Sequence, residues 1–435
     1  MLLEFSATNF KSIKNTQTLS LVGSSLKGPH EPLDVDFPGD SYGILPCAII
    51  YGANASGKSN LLEAFRTMRR MVFSSHSQPK KNKGLTQEVF LLDEEWATMP
   101  TSFDISFIAQ GVRYDFGFSF DSDSILEEWL YSYPEGRRRK LYERVGMEIQ
   151  FGSGMRGAKK QLVKFLKKTS LFFSTATQNN HEELNIIAEF FSKIFMSNRI
   201  SVASHVLNIS FKENEIDERT IKFLNLIGTG VDSYRQVVSD DVPDEAKAMV
   251  AEMVTLFNKH GSSDVEIEMP DNFDKNMEIE LCHKNAAGSD IYFGVDLESA
   301  GTRRLLVLLN SVFKVIDEGD IAIIDELDAS LHTHAVEAII QLFLDPEINK
   351  NNAQIIATTH DTNLLNPMKL RRDEIWFAEK GINGASEYFS LAEINGRKEE
   401  IFEKSYLQGR YGAVPPSFDT SNIKVGLDQP KEIKA

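Results

Sequence analysis

The chain has 435 residues, 42% of them hydrophobic and 25% charged, enough for roughly two or three domain-sized units with a substantial core. A formal net charge of −16 opposes wholesale non-specific coating of nucleic acid, and no stretch approaches the ~20 uninterrupted apolar residues of a membrane-spanning helix. Cys47 and Cys282 are too few for a disulfide framework, and Met1-Leu2-Leu3-Glu4-Phe5 lacks a signal-peptide pattern, so a cytoplasmic protein without membrane association is expected.

In chain order, Leu2-Leu3-Glu4-Phe5-Ser6-Ala7 and Leu19-Ser20-Leu21-Val22 flank the turn-rich Asn9-Phe10-Lys11-Ser12 and predict an opening hairpin. The apolar run over 43–51 predicts a strand buried on both faces. A glycine loop follows at once, and the apolar spacing over 60–68 predicts a helix after it. Alternation in Phe103-Asp104-Ile105-Ser106-Phe107 and Tyr114-Asp115-Phe116-Gly117-Phe118-Ser119-Phe120 predicts antiparallel strands with one wet face. Residues 155–260 turn richer in Lys, Glu and Asn, with helical spacing over 183–191, and predict a largely helical insertion. Strands are expected again at 265–269 and 277–281, and 401–435, with Pro415-Pro416, predict a loose tail. The basic runs at 136–140, Lys159-Lys160 and Lys167-Lys168 read as solvated faces, with a phosphate-contacting groove in an oligomer as the alternative.

Gly52-Ala53-Asn54-Ala55-Ser56-Gly57-Lys58-Ser59 satisfies Gly-x-x-x-x-Gly-Lys-Ser between a buried strand and a helix that begins around Asn60. Glycines at 52 and 57 let the backbone curl so that successive N–H groups face phosphate oxygens, and the helix adds its positive dipole end. Lys58 can reach the β- and γ-phosphates of ATP, and the Ser59 hydroxyl can ligate Mg²⁺. Farther on, Ile321-Ala322-Ile323-Ile324 ends in Asp325-Glu326. Asp325 can hold Mg²⁺ directly or through its water shell, and Glu326 stands where a base could accept the proton of an attacking water. A third strand, Gln354-Ile355-Ile356-Ala357-Thr358-Thr359, delivers His360, whose imidazole could bond and sense a γ-phosphate. His332 and His334, at i and i+2, do not face each other on a helix and predict no metal pair.

This order of motifs resembles the ABC-type ATPases of the SMC, RecF and OLD group. The resemblance implies an α/β fold: an ABC-type ATPase head with a mixed sheet carrying the P-loop, an antiparallel β subdomain and a mainly helical insertion. It implies a head-to-tail dimer in which a signature motif of one copy closes the ATP of the other. The matching segment, Leu297-Glu298-Ser299-Ala300-Gly301-Thr302-Arg303-Arg304, departs from Leu-Ser-Gly-Gly-Gln, with Ala300 in place of a glycine and Thr302 in place of the glutamine; Ser299 and the Gly301 backbone still offer donors. Asp328-Ala329-Ser330-Leu331 resembles the loop that meets the partner copy. Lys11, in a turn like the group's N-terminal phosphate-side turn, is a candidate ATP contact. Gln87 is the nearest candidate for the switch glutamine that reaches the metal.

A narrower resemblance, to RloA/AbiLi-type ATPases of bacterial abortive-infection loci, rests on 4–13, on Ile125-Leu126-Glu127-Glu128-Trp129-Leu130-Tyr131, on 298–304, and on Tyr406-Leu407-Gln408-Gly409-Arg410-Tyr411-Gly412-Ala413-Val414-Pro415. The ATPase of the PARIS anti-phage system is similar too. The resemblance implies a slow, switch-like ATPase that senses a phage-protein trigger and controls a separately encoded toxic effector, such as a TOPRIM-type nuclease. With 75 residues after His360, a TOPRIM domain in addition to the closing strands is not expected within this sequence. The expected organisation is an N-terminal ATPase lobe over 1–154, an oligomerisation or effector-docking insertion over 155–260, a C-terminal lobe over 261–400 and a tail over 401–435. A RecF-like ATPase that binds DNA directly is the alternative, and a binding module with a decayed site is a third reading, opposed by the intact Lys58, Asp325, Glu326 and His360.

Overall fold

The structure is a computed structural model and describes residues 1–33, 35, 43–77, 84–157, 159–197, 216–239, 276–394 and 401–414. Its strands are β1 (Leu2–Thr8), β2 (Gln17–Ser20), β3 (Cys47–Gly52), β4 (Thr101–Ala109), β5 (Val112–Phe120), β6 (Ile125–Tyr133), β7 (Arg139–Val145) and β8 (Glu148–Phe151). The second half adds β9 (Ile194–Ser197), β10 (Ser233–Ser239), β11 (Asn276–Lys284), β12 (Asp290–Gly294), β13 (Ile321–Ile324), β14 (Gln354–Thr358), β15 (Ile375–Lys380) and β16 (Ser386–Ser390). The helices are α1 (Lys58–Ser74), α2 (Lys159–Leu162), α3 (Phe172–Gln178), α4 (Glu182–Ser192), α5 (Glu218–Leu226), α6 (Ala300–Glu318), α7 (Thr333–Leu344) and α8 (Phe402–Leu407).

Two compact units result: residues 1–196, 319–327 and 343–435 form the first, and 197–318 with 328–342 the second. The first is α/β and contains two sheets. One is antiparallel in the order β2-β1-β4-β5-β6-β7-β8; the other is mixed, in the order β16-β15-β3-β14-β13-β9. Strict alternation in β4 turns Phe103, Ile105 and Phe107 inward, as period-two patterning requires. These side chains join Phe5, Phe116, Phe118 and Phe120 in one aromatic core. The amphipathic helix α1 packs on β1 and β3, with Phe65 centred 4.7 Å from Phe5. Gln354, fully buried, joins the sheets at the backbone: its Oε1 accepts from Leu2 N at 2.7 Å, and its Nε2 donates to the carbonyls of Leu2 and Leu45. Three backbone groups are thereby hydrogen-bonded by one side chain.

The segment expected to be a helical insertion is divided. Helices α3 and α4 contribute Phe172, Phe173, Phe190 and Phe191 to the core of the first unit, and Phe107 stacks on Phe190 at 4.1 Å. The described remainder holds α2, α5 and two strands, β9 and β10; Tyr234, Gln236 and their neighbours in β10 pair along β11 instead of continuing a helix. The expected strand at 265–269 lies outside the described residues, whereas 277–281 falls within β11. In the second unit, β10-β11-β12 form an antiparallel sheet, and α5 packs on α6 with the Arg219 guanidinium 4.6 Å from the Phe313 ring centre.

Of the loose tail expected over 401–435, residues 401–414 form a structured element, and 415–435 lie outside the described residues. Phe402, Tyr406, Tyr411 and Ala413 are buried, and Tyr406 stacks on Phe377 of β15 at 5.4 Å. Aromatic burial holds the segment, and the left-handed backbones of Gly409 and Gly412 turn the chain back. The basic pairs are also partly structural, since Lys167 Nζ donates to His76 O and Lys159 Nζ to Met155 O.

One ion pair in the first unit is completely buried. Arg144 Nη1 lies 3.2 Å from Glu128 Oε2 and also donates to Ser170 O at 2.6 Å. Glu128 accepts from Tyr142 OH and from the first two amides of α3, Phe172 N and Phe173 N. With every site filled, the pair fastens β6, β7 and α3 together; removing one partner strands a buried charge. Arg144→Met is expected to lower stability by about 3–5 kcal/mol, measured by urea unfolding. Adding Glu128→Gln to it should cost less than the sum of the two single changes.

Candidate functional site

In the mixed sheet, β15, β3, β14 and β13 run parallel, and β14 lies between β3 and β13. The registers Thr358↔Ile50 and Ile324↔Ala357 align the strand ends. Three segments distant in sequence therefore end on one edge: the loop after Tyr51, His360 after Thr359, and Asp325-Glu326 after Ile324. Carboxyl ends of parallel strands are where open α/β sheets take ligands, because loops and helix N-termini converge there.

The loop is shaped by what cannot fit around its glycines. A Cβ on Gly52 would meet Ala378 O at 2.4 Å and Ser56 Oγ at 2.6 Å. Gly57 precedes α1 with φ +107, and a Cβ there would stand 2.2 Å from Ser386 Oγ and 2.9 Å from Ser12 Oγ. Beneath the loop, Ser386 Oγ donates to Ser56 O at 2.6 Å and lies 2.7 Å from Ser12 Oγ, which accepts from Asn60 Nδ2. Tyr388 OH donates to Gly57 O at 2.6 Å. Ser12, Ser386 and Tyr388 thus support the loop from below. Sequence reasoning missed Ser386 and Tyr388, since only the pairing of β16 with β15 brings them there.

Lys58 Nζ donates to Gly52 O at 2.7 Å and Ala53 O at 3.1 Å, so its charge is held inside the loop's own curl. The buried Ser56 Oγ has no hydrogen-bond partner among the described residues. The Asn54, Ala55 and Ser59 side chains are exposed at the mouth, with Ala53 and Asn60 half-buried. Across the edge, Thr358 Oγ1 donates to Asp325 Oδ1 at 2.6 Å and accepts from Glu326 N at 2.7 Å. Glu326 is left-handed at φ +50, as are Ala55 at +63, Asn9 at +50 and Lys11 at +51. Such backbones cost about 1–3 kcal/mol each and concentrate where function overrides local preference. His360 is exposed just beyond β14, and Tyr51 OH donates to the neighbouring Asp361 O. A phosphate-cradling loop, a lysine, a hydroxyl and paired carboxylates on one edge fit a nucleoside triphosphate with a hard divalent cation.

The other candidates are placed differently. Lys11 N donates to Glu88 O, and its Nζ pairs with Glu88 Oε1 at 3.5 Å, on the turn whose Ser12 touches the loop. Gln87 Nε2 donates to Met99 O at 3.0 Å, tying the 84–101 segment together. In the second unit, Ser299 caps α6: its Oγ accepts from Thr302 N at 3.0 Å and lies 2.9 Å from Thr302 Oγ1. Gly301 is needed for close approach, because a Cβ would stand 2.6 Å from Ser330 O. His332 and His334 do come together, with ring centres 4.9 Å apart, because His332 precedes α7 and accepts from His334 N. Among the described residues, no group of three or more His, Cys, Asp or Glu could hold a metal by itself.

No curated protein matches the sequence. Among solved structures, the chain is similar to an Smc head bound to the C-terminal winged-helix domain of ScpA, at 15% identity and a TM-score of 0.38, covering 89% of this chain and 97% of that one. It is also similar to an Smc head with an extended coiled coil bound to the C-terminal domain of ScpA derived from Pyrococcus furiosus, at 13% identity and a TM-score of 0.34, covering 94% and 98%. Residues 47–151 and 260–366 match the family described as "AAA domain, putative AbiEii toxin, Type IV TA system". The match falls in two parts separated in sequence, which together cover slightly less than half of the chain.

Proposed function

We propose that the protein is a switch-like ATPase of a bacterial anti-phage, abortive-infection system that controls a separately encoded toxic effector, of which a nuclease is the expected kind. The observation that carries the ATPase reading is the meeting of the 52–59 loop, Asp325-Glu326 and His360 at the ends of neighbouring parallel strands. The match to a toxin–antitoxin family supports the defence setting.

In this reading, Lys58 exchanges its two loop carbonyls for phosphate oxygens, and the 52–60 backbone and the α1 dipole hold the remaining charge. Ser59 and Asp325 would hold Mg²⁺, which supplies charge neutralisation at the phosphates when bound. Thr358 fixes Asp325 and the Glu326 backbone together, so that Glu326 can take the proton of the attacking water and His360 can bond the γ-phosphate. Ser299 and the Gly301 amide would close the site of a second copy, making hydrolysis depend on a head-to-tail dimer or larger oligomer. That dependence keeps turnover slow and lets nucleotide state report on assembly.

Lys58→Ala is expected to weaken ATP binding about 10–100-fold, read by calorimetry, with the fold retained by circular dichroism. Glu326→Gln should keep ATP binding while lowering hydrolysis about 10²–10⁴-fold, and should accumulate an ATP-dependent oligomer on size-exclusion chromatography. The decisive experiment purifies the Glu326→Gln protein from cells with and without phage infection. A retained toxic partner protein supports the proposal; DNA co-purifying without any partner points to a DNA-binding ATPase instead. A wild-type protein that neither binds nor hydrolyses ATP ends the ATPase reading.

A further inference from the structure

The outer face of the antiparallel sheet carries a built cavity in the first unit. Pairings Ser6↔Asp104, Asp104↔Gly117 and Gly117↔Trp129 lay one row across β1, β4, β5 and β6; Glu4↔Ser106, Ser106↔Asp115 and Asp115↔Tyr131 lay the next beside it. These residues other than Gly117, together with Ile105, Tyr133 and Arg138, line a cavity of about 310 Å³. Gly117 sits mid-strand, where glycine is unfavourable, and has no left-handed φ to explain it. Space explains it: a Cβ would stand 2.4 Å from the Trp129 ring and 2.5 Å from Asp104 Oδ1. The missing side chain is the seat of the indole.

Two of the three aromatic rings already carry a guanidinium of this chain. Arg138 stacks 3.6 Å from the Tyr131 ring centre and Arg113 lies 4.7 Å from that of Tyr133. Among the described residues, no cation lies over Trp129. The acids are unequally engaged. Asp115 accepts from Ser106, Tyr133 and Arg113, whereas Glu4 accepts from Ser20 and Asp104 from Trp129. Burial pushes the Asp104 carboxyl up to about 6, countered by its hydrogen bond with Trp129 and reinforced by Asp115. It is thus a desolvated acid beside an aromatic face, a setting in which an arriving guanidinium gains both ion pairing and cation–π attraction.

We propose that this groove receives an arginine side chain from a basic segment of a partner polypeptide, stacked on Trp129 and paired with Asp104 and Glu4. Arg138, exposed on the β6–β7 turn, serves as the groove's own rim and competes with the incoming residue for the acids. The site lies on the sheet face opposite the aromatic core and uses none of the nucleotide-binding residues.

Calorimetry with hexa-arginine and hexa-lysine on the full chain tests it, at moderate salt because a chain of net charge −16 attracts any polycation. Hexa-arginine should bind about tenfold more tightly than hexa-lysine. Trp129→Ala and Asp104→Asn should each weaken it by about tenfold, while Glu148→Gln, which removes an exposed acid from β8, should change it less than about twofold. Arg138→Ala should strengthen binding more than Arg137→Ala, although both remove one exposed positive charge. Because Asp104 is raised in the folded state, its contribution is favourable only while protonated and is lost as pH rises through about 6. Asp104→Asn should therefore raise the urea midpoint at pH 8 even as it loses peptide, separating a binding role from a structural one. The proposal fails if Asp104→Asn and Trp129→Ala behave like Glu148→Gln, if hexa-lysine binds equally well, or if free L-arginine binds as tightly as the peptide. Should Trp129→Ala not fold, the Asp104 and Arg138 variants decide alone.

Discussion

The packing of the 52–59 loop, the proposed nucleotide cradle, depends on the absence of a side chain at Gly57. Its backbone is left-handed, and the space a Cβ would take belongs to Ser386 Oγ and Ser12 Oγ. The loop is thereby pressed onto β16 and the N-terminal turn, which hold it by hydrogen bonds to Ser56 O, Gly57 O and Asn60. A phosphate cradle needs its amides aimed before the anion arrives, and rigid support from below is how a flexible glycine loop obtains that aim. The N-terminal turn and β16, at opposite ends of the described chain, thus serve one loop.

The same edge concentrates unfavourable backbone. Asn9, Lys11, Ala55 and Glu326 all lie in the left-handed region without being glycine. Asn9 shows how such a conformation is kept: its Nδ2 donates to the carbonyls of Trp96, Met99 and Pro100, and its Oδ1 accepts from Phe90 N. Glu326 is held by Thr358, whose hydroxyl also secures Asp325. Local strain is tolerated because long-range hydrogen bonds over-determine it.

The antiparallel sheet meets two opposed demands on its two faces. Its inner face is an almost continuous aromatic layer through Phe5, Phe103, Phe107, Phe116, Phe118 and Phe120. Its outer face carries Asp104, Asp115, Trp129, Tyr131 and Tyr133, and holds in Asp104 a carboxyl that burial makes costly to ionise. A sheet that needed only to cover a core would favour small polar residues there. Residues that work against stability while lining a cavity are the pattern expected of a binding face.

The sequence by itself determined the loop at 52–59, the acids at 325 and 326, His360, the alternation of β4 and β5, and the helix after Lys58. Each is a local signal, carried by hydrophobic period, glycine spacing or a strand ending in charge, and local signals survive in one dimension. What only the tertiary structure decided was non-local. Gln354 joins two sheets through Leu2 and Leu45, Glu128 caps a helix it precedes by dozens of residues, and Ser386 and Tyr388 lie beneath a loop from the other end of the described chain. The packing of α3 and α4 from the 155–260 segment, and of 401–414 from the tail expected over 401–435, escaped the sequence for the same reason. Polar composition and Pro415-Pro416 suggested a helical insertion and a loose tail, but Phe172, Phe190, Tyr406 and Tyr411 find aromatic partners on strands far away in sequence. Burial against distant residues outweighs local propensity whenever a large apolar side chain can be removed from water.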